Sequence, residues 1–118
     1  MATRAIPLSV HAALEALMAP VLIAAPLLFG LGAPATLACV AVGGTMLGLA
    51  LQAPGPRRAV PLAAHAYFDY VLAGIAALAG IAIGLATGSW VATSLLVGVG
   101  AALAVLAAAT RFSSPRGA

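Results

Sequence analysis

Arg4-Ala5-Ile6-Pro7-Leu8-Ser9-Val10-His11-Ala12-Ala13-Leu14-Glu15 decides the reading of this chain, because it is met again 54 residues later as Arg58-Ala59-Val60-Pro61-Leu62-Ala63-Ala64-His65-Ala66-Tyr67-Phe68-Asp69. Arg, Pro, Leu, His and two alanines recur identically, and Ile/Val, Leu/Phe and Glu/Asp recur in kind. Matching alanines would say little in so alanine-rich a chain. The whole sequence, however, holds only two histidines and two acids, and the shift superposes all four. Farther on, Gly30-Leu31 falls on Gly84-Leu85 and Gly44 on Gly98. A self-similar period of this size signals one supersecondary unit used twice.

The unit is apolar almost throughout. Of 118 residues, 64% are hydrophobic and 6% charged. A soluble domain carries about a quarter charged residues, so this chain lacks the means to cover itself with a polar surface. That excludes a water-soluble enzyme and a nucleic-acid binder, and makes the lipid bilayer the expected solvent. The net charge of +3 comes from five arginines, too few for a polyanion-binding surface. Cys39 is the single cysteine, which excludes an intramolecular disulfide and any cysteine-based metal motif.

A membrane-spanning helix needs ~20 mostly apolar residues. Four stretches qualify, near Leu8–Phe29, Ala35–Leu51, Leu62–Leu85 and Ser89–Thr110. Gly30 to Pro34 and Thr87-Gly88-Ser89 separate the members of each pair, and Ala53-Pro54-Gly55-Pro56-Arg57-Arg58 separates the pairs. The alternation of a spanning β-barrel is absent, which leaves helices as the way to satisfy the backbone in lipid. The expected fold is all-α: a single membrane domain over 1–118, a four-helix bundle of two tandem hairpins. Repeat 1 covers 4–52, repeat 2 covers 58–110, and 111–118 form a flexible tail. Both hairpins start on the same side, so the repeat is parallel.

With four spans, Arg4, Arg57, Arg58, Arg111 and Arg116 all fall on one side of the membrane, while the two short turns carry no charge. The positive-inside rule makes that side cytoplasmic, with both termini there, in a bacterial inner membrane. Trp90 opens the last helix at the far interface. Small residues are expected to bring helices close: Gly44 and Gly48 on helix two, Gly80 and Gly84 on helix three, and Gly98, Ala102 and Leu106 on helix four. Pro20 and Pro26 interrupt the hydrogen-bond ladder of helix one.

The chemistry rests on four residues. His11 and Glu15 are four apart and share a helix face, as do His65 and Asp69. Ionisable groups at this depth are costly unless they turn inward and pair, so the two pairs are expected to meet. Three readings compete. In the first the quartet is structural, His11 meeting Asp69 and His65 meeting Glu15, so that helices one and three are pinned together. In the second it binds a transition metal such as Zn, Fe or Mn, since two imidazoles and two carboxylates make a ligand set. In the third it handles protons or ions. Haem between the two histidines is weaker, because the positions at that depth are not evidently roomy. Tyr67 and Tyr70 flank the second pair and could donate hydrogen bonds. No nucleophile stands near a base, and Gly43-Gly44 lacks the lysine of a phosphate loop, so no enzyme and no cofactor are expected. A homo-oligomer or a membrane-protein partner fits this composition; a nucleic acid does not.

The hairpin unit has an acid on its first helix, a Pro or Gly midway and a glycine-bearing second helix. His11 to Glu15, Ala25-Pro26-Leu27-Leu28-Phe29-Gly30, and His65 to Asp69 carry these features. In them the chain resembles the SPW-repeat family of small bacterial membrane proteins, a resemblance covering both hairpins. It implies the architecture and no mechanism, since the family has no established biochemical role. The Ser-Pro-Trp triplet itself is replaced by Ala25-Pro26-Leu27 and Ala79-Gly80-Ile81. The chain is also similar to the small multidrug transporters in length, in its four spans and in Glu15 on the first helix. That likeness implies proton and cation exchange by dimers through the glutamate, although the aromatic substrate lining is missing.

Overall fold

Proline begins the first helix of each pair. Pro7 and Pro61 stand just before α1 (Leu8–Leu28) and α3 (Leu62–Thr87), with φ of −67° and −58°. A proline there loses no helical hydrogen bond, because the first amides of a helix have no partner within it. Their carbonyls accept the amides of His11 and His65 at 3.0 and 2.9 Å. Each histidine is thereby fixed at the same point of its first turn. The structure, a computed structural model, describes residues 5–53 and 61–112. Arg4, Arg57, Arg58 and Arg116 lie outside the described residues, whereas Arg111 is described and exposed.

The remaining helices are α2 (Ala33–Gln52) and α4 (Trp90–Ala109). Twenty residues or more in each helix give ~30 Å or more of length, enough for the hydrocarbon core of a bilayer. All four are long and apolar enough to cross a membrane. α1 runs unbroken through Pro20 and Pro26. Gly30 and Gly88 take the positive φ values that close the hairpins, 64° and 76°. In α3 the helix continues to Thr87, so Gly84, the repeat counterpart of Gly30, lies inside it. The second turn reduces to Gly88 and Ser89, whose hydroxyl accepts the Ala92 amide at 3.4 Å.

Each hairpin packs most closely on itself, α1 against α2 and α3 against α4; α2 against α3 and α4 against α1 complete the ring. α1 and α3 therefore face each other diagonally, and both start at the same end. The centre is filled by apolar side chains, with Leu22, Met46, Leu96 and Leu103 fully buried. Large aliphatics cover the outside instead: Leu27 is 75% exposed and Leu78 70%. A surface this apolar suits lipid and not water.

Glycine sets the closest helix contacts, at positions that partly differ from the expected ones. Gly80 and Gly84 do face α4: an added Cβ would come within 2.9 Å of the Leu96 Cβ at Gly80 and within 2.6 Å of the Trp90 ring at Gly84. Gly44 and Gly48 do not pack on a neighbour; both are exposed, with open space around them. The close approach on α2 is made by Gly43, whose added Cβ would meet the Ala19 carbonyl at 3.1 Å. On α4 it is made by Gly100, whose added Cβ would meet the Ala73 carbonyl at 2.7 Å, and Gly98 and Ala102 point outward. In helices this rich in Ala and Gly several faces are equally small, and the facing helix selects one.

Candidate metal centre

The four ionisable side chains converge at the end of the bundle where α1 and α3 begin. His11, Glu15, His65 and Asp69 are all 0% exposed. The equal start of the two helices puts the histidines at one level, and the acids lie about one turn, ~6 Å, farther in. One ligand atom from each residue can be chosen so that all lie within 4.8 Å of one another.

The pairing is less even than two crossed His–acid bonds. His11 Nε2 takes both acids, lying 2.6 Å from Glu15 Oε1 and 2.9 Å from Asp69 Oδ2. The bond to Asp69 joins α1 to α3, as expected. His65 Nε2 lies 3.3 Å from Asp69 Oδ2 and 3.7 Å from Glu15 Oε1, without hydrogen-bond geometry to either. Glu15 Oε2, Asp69 Oδ1 and both ring nitrogens of His65 are buried and have no hydrogen-bond partner among the described residues. An unpartnered buried polar atom costs about 1–3 kcal/mol, so a purely structural cluster would be expected to satisfy them.

Two residues that the sequence did not single out complete the site. Thr110 is 0% exposed, and its hydroxyl lies 2.8 Å from His11 Nδ1 and 2.6 Å from the Leu106 carbonyl. The hydroxyl has one proton, and the carbonyl, which can only accept, takes it. The Thr110 oxygen is then an acceptor, and His11 Nδ1 is the donor. The Phe112 ring lies against both imidazoles, with centroids 5.0 Å from His11 and 5.6 Å from His65. The two imidazoles themselves have centroids 5.5 Å apart and are steeply inclined. Arg111 and Phe112, at the head of the stretch read as a loose tail, are thus tied to the bundle. Tyr67 and Tyr70 point outward, 68% and 46% exposed, and do not reach the acids.

With the Nδ1 proton committed to Thr110, His11 turns Nε2 toward two carboxylate oxygens. Two bare carboxylates in an apolar interior are prohibitively costly, so they are neutralised, by a proton on an acid or by positive charge beside them. A second ring proton or a metal cation meets that need. A tetrahedral ion with arms of about 2.0–2.1 Å would need six ligand–ligand edges of ~3.3 Å, and the quartet's ligand atoms lie within 4.8 Å of one another. The four N···O separations, 2.6, 2.9, 3.3 and 3.7 Å, scatter around that edge. Comparison of the chain with protein families, curated proteins and solved structures finds no match.

Proposed function

We propose that this is an integral membrane protein that binds one divalent transition-metal ion of the zinc class, with His11, Glu15, His65 and Asp69 as its four ligands. The observation that carries this reading is the convergence of the four ligand atoms, of which the buried Nε2 of His65 has no hydrogen-bond partner among the described residues. Two nitrogens, two oxygens and no thiolate suit Zn²⁺ and its neighbours better than soft Cu(I) or the all-oxygen preference of Mg²⁺ and Ca²⁺. A dication also neutralises the two carboxylates. With all four positions filled by the protein, the centre keeps no open place for a substrate, which supports a non-enzymatic role.

The five arginines support an orientation with both termini and the metal centre at the cytoplasmic face of a bacterial inner membrane. The repeated Arg-Ala-Ile/Val-Pro-Leu stretch and the common start of α1 and α3 support descent from one duplicated hairpin of the SPW-repeat kind. A second reading, a polar clamp that needs no metal, is favoured by His11, both of whose ring nitrogens are engaged.

Elemental analysis separates the two. Protein purified in detergent, exposed to Zn²⁺ and dialysed is expected to retain about one zinc per chain, and His11→Ala to retain almost none. Wild-type protein free of metal after this treatment would leave the clamp alone standing.

A further inference from the structure

This inference rests on the zinc reading and concerns access to the ion. After α4 the chain crosses the end of the bundle against Ile6. The Ile6 amide donates to the Ala109 carbonyl at 3.0 Å, and the Arg111 amide donates to the Ile6 carbonyl at 2.9 Å. These two bonds clasp the region before α1 to the region after α4. From the clasp, Thr110 reaches inward to His11 and Phe112 lies over both imidazoles. Farther along the bundle from the quartet the interior is filled by buried apolar side chains, among them Leu22, Ala76 and Leu96. Among the described residues the clasp is therefore the least costly part of the enclosure to move: two backbone bonds, the Thr110–His11 hydrogen bond and one ring, against a packed core.

Thr110 also makes the two histidines unequal. By accepting from Nδ1–H it directs the Nε2 lone pair of His11 into the centre, the form in which a metal takes an imidazole. Nδ1 of His65 has no such partner among the described residues. His11 is the ligand oriented by a hydrogen bond, and His65 is held by packing against His11 and Phe112.

We infer that residues 110–112 are the gate of the metal centre: Thr110 is a positioning residue that holds His11 ready to bind, and Phe112 shuts the site, so that zinc enters and leaves when this segment parts from Ile6.

The test uses the full chain in detergent with Zn²⁺ as the probe. Affinity is read by competition with a chromophoric chelator and release by stopped-flow mixing with excess chelator. Thr110→Val keeps the shape and removes the hydroxyl, and is expected to weaken zinc binding by about 10–100-fold. Thr110→Ser restores the hydroxyl and is expected to recover most of that loss, which a packing role for the methyl group would not predict. Phe112→Ala is expected to speed both capture and release by about tenfold, the change that corresponds to ~1.4 kcal/mol of barrier. Wild-type affinity in Thr110→Val, or no recovery in Thr110→Ser, overturns the positioning role. Wild-type release in Phe112→Ala overturns the gate. If Thr110→Val does not fold, the serine and Phe112 variants decide. Wild-type protein that binds no zinc removes the metal reading itself, a result distinct from bound zinc with unaltered kinetics.

Discussion

His11 has more engagements than any other side chain of the site. It touches its own helix through Glu15, the diagonal helix through Asp69 and the end of α4 through Thr110. These contacts differ in what they hold together. The Glu15 contact spans one turn of α1 and ties no helix to another, whereas the Asp69 contact links α1 to α3. In metal-free protein a proton shared from Nε2 serves both acids, so the variants should separate. Asp69→Asn is expected to destabilise by about 1.5–3 kcal/mol, the range for a hydrogen bond to a charged group, and Glu15→Gln by less. Unfolding by SDS titration in the presence of a chelator measures the difference; a larger loss in Glu15→Gln would contradict the geometry. The quartet was legible in the sequence because rare residue types recurred at i,i+4 in both repeats. Thr110 was not, because it follows a run of alanines with no acid or histidine nearby, and its partner is 99 residues away. Only a parallel contact between the region before α1 and the region after α4 brings the two together.

At the level of helices, the lengths and starts followed from apolar run length and proline, and α1 and α3 begin where Pro7 and Pro61 predict. The packing faces followed less well. Small-xxx-small spacing names a face of a helix, but α2 offers Gly43 beside Gly44, and α4 offers Gly98 and Gly100. Which of them meets a backbone depends on the rotation of the helix, which spacing within that helix does not set. The consequence can be measured. A methyl group at Gly100 would press on the Ala73 carbonyl, a backbone atom that cannot turn aside. Gly100→Ala is expected to destabilise by about 1–3 kcal/mol through overpacking. Gly44 has open space around it, so Gly44→Ala is expected to be neutral or to stabilise by up to about 1 kcal/mol through helix propensity. Parallel SDS titrations of the two variants test this pair, and equal effects would mean that α4 does not approach α3 as described. The Thr93 hydroxyl donates to the Gly80 carbonyl at 2.7 Å along the same seam, which only such a close approach permits.

Over the whole molecule the polar and apolar parts are strongly segregated. One end of the bundle axis holds two acids, two histidines and a threonine hydroxyl; the rest is apolar, with Leu22, Met46, Leu96 and Leu103 leaving no exposed surface to speak of. An ion held as proposed and leaving the quartet toward the other face would have to give up its four ligands and pass among aliphatic side chains that offer no replacement. Toward the clasp, among the described residues, it has Phe112, the Thr110–His11 hydrogen bond and two backbone bonds to displace. The arrangement fits an ion that is taken up and given back at one face, and fits a conduit poorly. In proteoliposomes with a zinc indicator in the lumen, zinc added outside is therefore expected to bind at no more than about one ion per chain without raising the lumenal signal above that of protein-free vesicles. A sustained lumenal rise that disappears in Glu15→Gln would overturn one-sided access and identify the quartet as the middle of a transport path, with the two hairpins rocking about it. The hairpins do pack more closely within themselves than on each other, so this outcome has a structural route, and the flux measurement decides between a site served from one side and a site that changes sides.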